Sequence, residues 1–143
     1  MPVPEIRKVA IGEVAANRRR GGDIRVLLSP KTVGATSGFF GVLTLEPDEF
    51  VAEHYHPYSE EFLYVVSGRI TARLDGDRYL DVMAGEGLLV PKEVRHRVTN
   101  PGAEPAVVTF CLTPLAPRPD LGHVDTEELP APAQLQLDVG AAG

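Results

Sequence analysis

Tryptophan is absent from this sequence, cysteine occurs once, and no apolar run is long. Each scarcity excludes something. A single cysteine, Cys111, cannot build an intrachain disulfide framework, so the chain depends on a packed core and suits a reducing compartment. Cys111 itself reads as a small buried hydrophobe. Nothing approaches the ~18 apolar residues of a membrane helix, and the start carries no secretory h-region, so the expected location is the cytoplasm, away from membranes. Positive charge is short as well. Fourteen Lys and Arg against twenty Asp and Glu give a formal net charge of −6, which argues against nucleic acid as a partner. No long stretch carries the 3.6-residue period of an amphipathic helix.

Punctuation is abundant. Fourteen glycines and thirteen prolines are dispersed along 143 residues rather than clustered. Between them lie short alternating runs, which predict strands at about 23–29, 37–45, 51–56, 60–67, 69–75, 78–82, 87–91, 94–99 and 105–113. Gly68, Asp75-Gly76-Asp77, Ala84-Gly85, Pro91 and Asn100-Pro101-Gly102 separate them, and "LDGDRYL" predicts a two-residue hairpin turn. A spacing of about ten residues per strand marks an all-β antiparallel sandwich or barrel. The chain divides into an N-terminal arm (1–22), a barrel (23–114) and an extended Pro- and Ala-rich tail (115–143) expected to fray beyond about residue 135.

The chemistry concentrates in "AEHYHPYSEEFLYVVSG". Residues i and i+2 of a strand share a face, so His54 and His56 project together. Glu61 shares parity with the core-like Leu63 and Val65 and also points inward, where a lone carboxylate would be costly without a cation. His96, between the outward-facing Arg95 and Arg97, is the best further ligand. Three imidazoles and one carboxylate suit a single divalent ion, Zn foremost, with Fe, Mn, Ni or Co as alternatives, and leave positions open for chemistry. A His-x-His pair packed in a core is the plain alternative.

These residues also carry a resemblance. "HYHPYSEEFLYVVSG" resembles the first cupin motif, His-x-His, four residues, Glu, six residues, Gly, through His54, His56, Glu61 and Gly68. "GEGLLVPKEVRHRVTN" resembles the second through Gly85, Pro91, His96 and Asn100. Two turn positions depart from the pattern, with Asp48 and Glu93 where cupins usually have glycine. The resemblance implies a double-stranded β-helix, or jelly-roll barrel, with the metal inside. Inward Leu63, Val65, Ile70, Ala72, Leu74 and Val98 would surround it, with Arg69 and Arg73 outside. Such a cavity suits an apolar, oxygen-bearing substrate rather than a phosphosugar.

With "APRPDLGHVDTEE" added, the chain is similar to the small cyclases of bacterial aromatic polyketide pathways, of the tetracenomycin and resistomycin type. The implied activity is metal-dependent cyclisation and dehydration of a poly-β-ketone. A cupin oxygenase acting on a quinol or flavonol, and a non-catalytic binding cupin, are the rival readings. Tyr58 and Glu60 are candidate acid/base groups, or else a rim residue and a solvated acid. A tail folded over the barrel mouth would bring His123 to the cavity as acid/base or extra ligand; otherwise it is a surface residue. The run Arg18–Arg20 is a solvated loop or a docking point for an acyl carrier protein. A homodimer, with the arm adding a strand across the interface, is a further expectation.

Overall fold

The nine alternating runs become strands, and the tail adds a tenth, in a computed structural model that describes residues 5–134. They are β1 (Asp23–Leu28), β2 (Phe39–Leu45), β3 (Phe50–Tyr55), β4 (Glu60–Ser67) and β5 (Arg69–Leu74). Then come β6 (Arg78–Met83), β7 (Gly87–Val90), β8 (His96–Thr99), β9 (Ala106–Thr113) and β10 (Val124–Asp125). The first sheet has the order β1-β2-β9-β4-β7 and the second β10-β3-β8-β5-β6, with every pairing antiparallel. The two sheets face each other, and their inner faces form one core around Leu43, Leu45, Leu63, Val65, Ile70, Val98, Val108 and Phe110.

Strand parity does most of this sorting. In β9, Ala106, Val108, Phe110 and Leu112 are buried while their neighbours are half-exposed. That parity corrects the expectation for Cys111, which faces outward and is only half-buried, opposite Phe40 and Phe62. On β4 the same alternation buries Glu61, Leu63 and Val65 and exposes Phe62, Tyr64 and Val66.

Three local features differ from the alternating pattern. The β5–β6 connection uses three residues, Asp75 to Asp77, rather than two, because Leu74 pairs with Arg78. Pro30–Val33 forms a short helix, α1, capped reciprocally by Ser29 and Thr32. The tail does not simply run extended, since Val124 and Asp125 pair with the edge of β3. The predicted frayed end beyond residue 135 lies outside the described residues.

Both non-glycine turn positions keep the conformation that glycine would supply. Asp48 has φ 68° and Glu93 has φ 67°. Glu93 uses it to donate its backbone N–H to the carbonyl of His56, at 3.0 Å, and so ties the second motif to the first. Asn100 is fully buried, and its side chain donates to the carbonyls of Leu45 and Glu104.

Candidate metal centre and cavity

The site starts from an irregularity in β3. Between Val51 and His54 the ladder to β8 shifts register, so Val51, Ala52, Glu53 and His54 are all buried. The freed N–H groups find other acceptors. Ala52 donates to the carbonyl of Arg20, and Glu53 to the carboxylate of Glu127. Beyond the bulge His54 stands opposite His96 across the β3–β8 pair, and His56 follows just after the strand. Glu61 reaches in from the facing sheet, where β7 and β9 flank it. The structure therefore brings His54, His56, Glu61 and His96 together from both sheets.

Each imidazole of this set is aimed by its Nδ1. His54 Nδ1 bonds the carbonyl of Ala52 (2.7 Å), His56 Nδ1 that of Gly122 (3.0 Å), and His96 Nδ1 that of Val94 (3.0 Å). Donation to a carbonyl leaves the lone pair on Nε2, the form that ligates a cation. Among the described residues, His56 Nε2 and His96 Nε2 are buried without a hydrogen-bond partner. Buried polar atoms are rarely left so. Their nearest polar neighbour is Glu61, with carboxylate oxygens 3.7 Å from His56 Nε2 and 3.3 Å from His96 Nε2, off the line of a hydrogen bond. The donor atoms of His56, Glu61 and His96 lie within 4.8 Å of one another, and so do those of His54, His56 and His123. A cluster of histidine and glutamate donors with orphaned lone pairs fits a divalent cation.

Burial pushes the His54 imidazole well below its ordinary range, with the neighbouring histidines adding to the effect. It lowers His56 too, although the Glu61 charge opposes it. His96 goes the other way: burial lowers it, but the adjacent Glu61 carboxylate more than compensates and raises it. Burial would raise Glu61, yet His96 and His56 bring it below the usual carboxylate range.

His123 belongs to this centre. Its ring stacks on His54 with centroids 4.2 Å apart and 14° between planes, and it meets His56 edge-on. Burial pushes its imidazole down to about 4. Its Nε2 lies 2.9 Å from Asp125 Oδ1, which also accepts from Arg20 Nε at 2.9 Å. Burial works against the Asp125 charge, but these two donors hold its carboxyl at about 2.

The cluster sits in a cavity of about 610 Å³, walled by Phe39, Leu43, Leu63, Ile70, Val108 and Phe110 among others. Tyr58 and Glu60 do not line it. Tyr58 is 41% exposed, and Glu60, one residue from Glu61, takes the outward parity of β4. Ser59 lines the cavity instead.

The arginine run is engaged within the chain. Arg18 pairs with Asp23, Arg19 donates to the carbonyls of Pro132 and Gln134, and Arg20 lines the cavity while holding Asp125. Nor do the outward-facing arginines simply meet solvent. Arg97 packs 3.9 Å above the Phe50 ring and bonds Glu127, while Arg73 and Arg95 flank the buried Glu53. Sequence reasoning missed Asp125 and Glu53. The His-x-Asp spacing of "GHVDT", which would set His123 and Asp125 on one side of an extended segment, was the available signal. Glu53 had none, because its burial depends on the tail.

Residues 41–112 match the family described as Cupin domain. Protein SchB of Streptomyces halstedii is 57% identical over 128 residues, covering 90% of this chain and 92% of its own. Tetracenomycin polyketide synthase protein TcmJ of Streptomyces glaucescens is 48% identical over 133 residues, covering 93% and 89%. A solved structure from Klebsiella pneumoniae, of a conserved protein with a double-stranded β-helix domain, superposes with a TM-score of 0.68 at 19% identity, covering 87% of this chain and 100% of its own. Two facing antiparallel sheets, both motifs in place and these matches agree: the chain belongs to the cupin family.

Proposed function

We propose that this protein is a metal-dependent cyclase acting on a poly-β-ketone intermediate of bacterial aromatic polyketide biosynthesis. One observation carries the proposal most: a buried set of imidazole and carboxylate donors, two of the nitrogens orphaned, at the wall of a large apolar cavity. The similarity to a protein named for the tetracenomycin polyketide synthase supports the substrate class.

His54, His56, Glu61 and His96 would hold one divalent ion, with zinc the first choice. Such an ion supplies Lewis-acid polarisation of carbonyl oxygens and so acidifies the methylenes between them. The chain's own residues do the rest. Phe39, Leu43, Ile70, Val108 and Phe110 enclose the folded polyketone, exclude water and decide which carbon meets which carbonyl. His123, whose ring lines the cavity and stacks on His54, takes a methylene proton on the ring nitrogen that does not face Asp125. The carbanion carbon bonds a carbonyl carbon of the same chain, the new alkoxide is protonated, and water leaves to give the aromatic ring. Tyr58 and Glu60, outside the cavity, take no part.

The test combines the metal-loaded protein with a polyketone released by a minimal polyketide synthase, with and without oxygen. The expected result is the same cyclised product in both atmospheres. An identical product distribution with and without the protein would sink the proposal. Turnover that needs oxygen would replace it with the oxygenase reading.

A further inference from the structure

We propose that Asp125, braced by Arg20, is a positioning residue that fixes the tautomer and ring plane of His123 at the cavity wall. The inference rests on the cyclase reading for its kinetic half and on geometry for the rest.

The geometry begins with register. Asp125 stands directly opposite His54 in the β10–β3 pair. Opposed residues share a face, so His54 and Asp125 project toward the same side, and the His123 ring, one residue before β10, reaches both. The Asp125 carboxylate therefore meets the edge of the very ring that stacks on His54. An ionised carboxylate only accepts hydrogen bonds, so the facing nitrogen must carry the proton. That makes His123 the Nε2–H tautomer and leaves its Nδ1 as the lone-pair donor. Arg20 keeps the carboxylate in place, with Nε 2.9 Å from Oδ1 and a terminal nitrogen 3.5 Å from Oδ2. The arginine is itself anchored, since its carbonyl accepts from Ala52 at the β3 bulge. Arg20, Asp125 and His123 are thus linked by hydrogen bonds that end at the histidine cluster.

The tail segment 124–127, a strap along β3, does not need these bonds to stay docked. On its other face Thr126 donates its side-chain hydroxyl to Glu53 (2.9 Å) and its backbone N–H to the Glu53 carbonyl (3.0 Å). Glu127 accepts from the Glu53 N–H (2.8 Å) and from Arg97 (3.1 Å). These contacts hold Val124–Asp125 against β3, so neutralising Asp125 changes what His123 donates to without releasing the segment. The role matches that of the carboxylate in serine-protease triads, which orients an imidazole without taking its proton.

The test is Asp125→Asn in the zinc-loaded protein, read by the nitrogen-15 spectrum of the imidazoles and by kinetics. The wild type should show His123 as the Nε2–H form alone. The asparagine, which can donate as well as accept, should populate the Nδ1–H form. Turnover should fall in kcat by about 10²-fold or more, with KM within twofold and zinc stoichiometry unchanged. Asp125→Glu, which keeps a carboxylate, should retain the wild-type tautomer and recover most of kcat. An unchanged His123 spectrum in the asparagine variant would overturn the assignment, as would a glutamate variant as impaired as the asparagine one. If the wild type turns over no polyketone, the cyclase reading fails while the spectra still decide the positioning claim.

Discussion

The two faces of the second sheet bury ionisable groups in opposite ways. On the outer face Glu53 is only 6% exposed, yet it is fully partnered: Thr126 and Arg73 donate to its carboxylate, and Arg95 lies 3.7 Å away. On the inner face, a residue along the same strand, His54 begins a cluster in which two buried nitrogens have no hydrogen-bond partner among the described residues. Burial is equal, but the outer carboxylate is satisfied and its neighbour Arg73 Nε is a lone unpartnered N–H among the described residues, whereas the two inner orphans belong to one cluster of metal-ligating donors. A satisfied buried charge is architecture, here the clasp for the strap. Unsatisfied buried lone pairs that converge call for a cation.

That contrast can be broken by substitution. The largest effect should come from His54→Ala and His96→Ala, each of which should abolish stoichiometric metal by elemental analysis. Full metal retention in both would erase the distinction between the faces. Glu53→Gln should do the reverse and leave metal content intact. It should destabilise the metal-free protein by about 1–3 kcal/mol in urea denaturation, because the clasp loses its charge while Arg73 and Arg95 can still turn toward water. Loss of metal in that variant would show that the faces are not independent.

Acid should act on the inner face first. The metal competes with protons for imidazole, so affinity falls as pH falls. His54 and His56 have pKa values depressed by burial, so their neutral ligand forms persist below the ordinary histidine range. His96, which the Glu61 carboxylate raises, is the ligand that acid reaches first, so affinity titrations should decline steeply below about pH 6, and a flat profile down to about pH 5 would refute ligation by His96. The smallest effect should be Glu93→Gly. It relieves a left-handed conformation and keeps the N–H bond to His56, so a gain of about 1 kcal/mol in denaturation midpoint stability is expected, partly offset by chain entropy.

Much of the site was legible because it obeys local rules. His54 and His56 are two residues apart, Glu61 shares parity with Leu63 and Val65, and both motifs have fixed spacing. Parity likewise foretold the buried faces of β4, β5 and β9. It failed where tertiary contacts override alternation. The bulge at Ala52 and Glu53 persists because Arg20 and Glu127, remote in sequence, accept the N–H groups that it frees. Tyr58 and Glu60 were attractive by proximity in sequence, but the strand pleat turns Glu60 away from the cavity and Tyr58 stays at the surface.

Periodicity and spacing are properties of a few consecutive residues, and from them came the strands, the inward faces and the four candidate ligands. The place of the tail is a different kind of fact. Nothing near His123 in the chain says that it will stack on His54, for the bonds that put it there join residues more than seventy positions apart. Those bonds exist only once β3 is bulged, β8 is paired beside it and Glu53 is waiting on the outer face. Folding thus turned a histidine from an unpatterned tail into part of the centre.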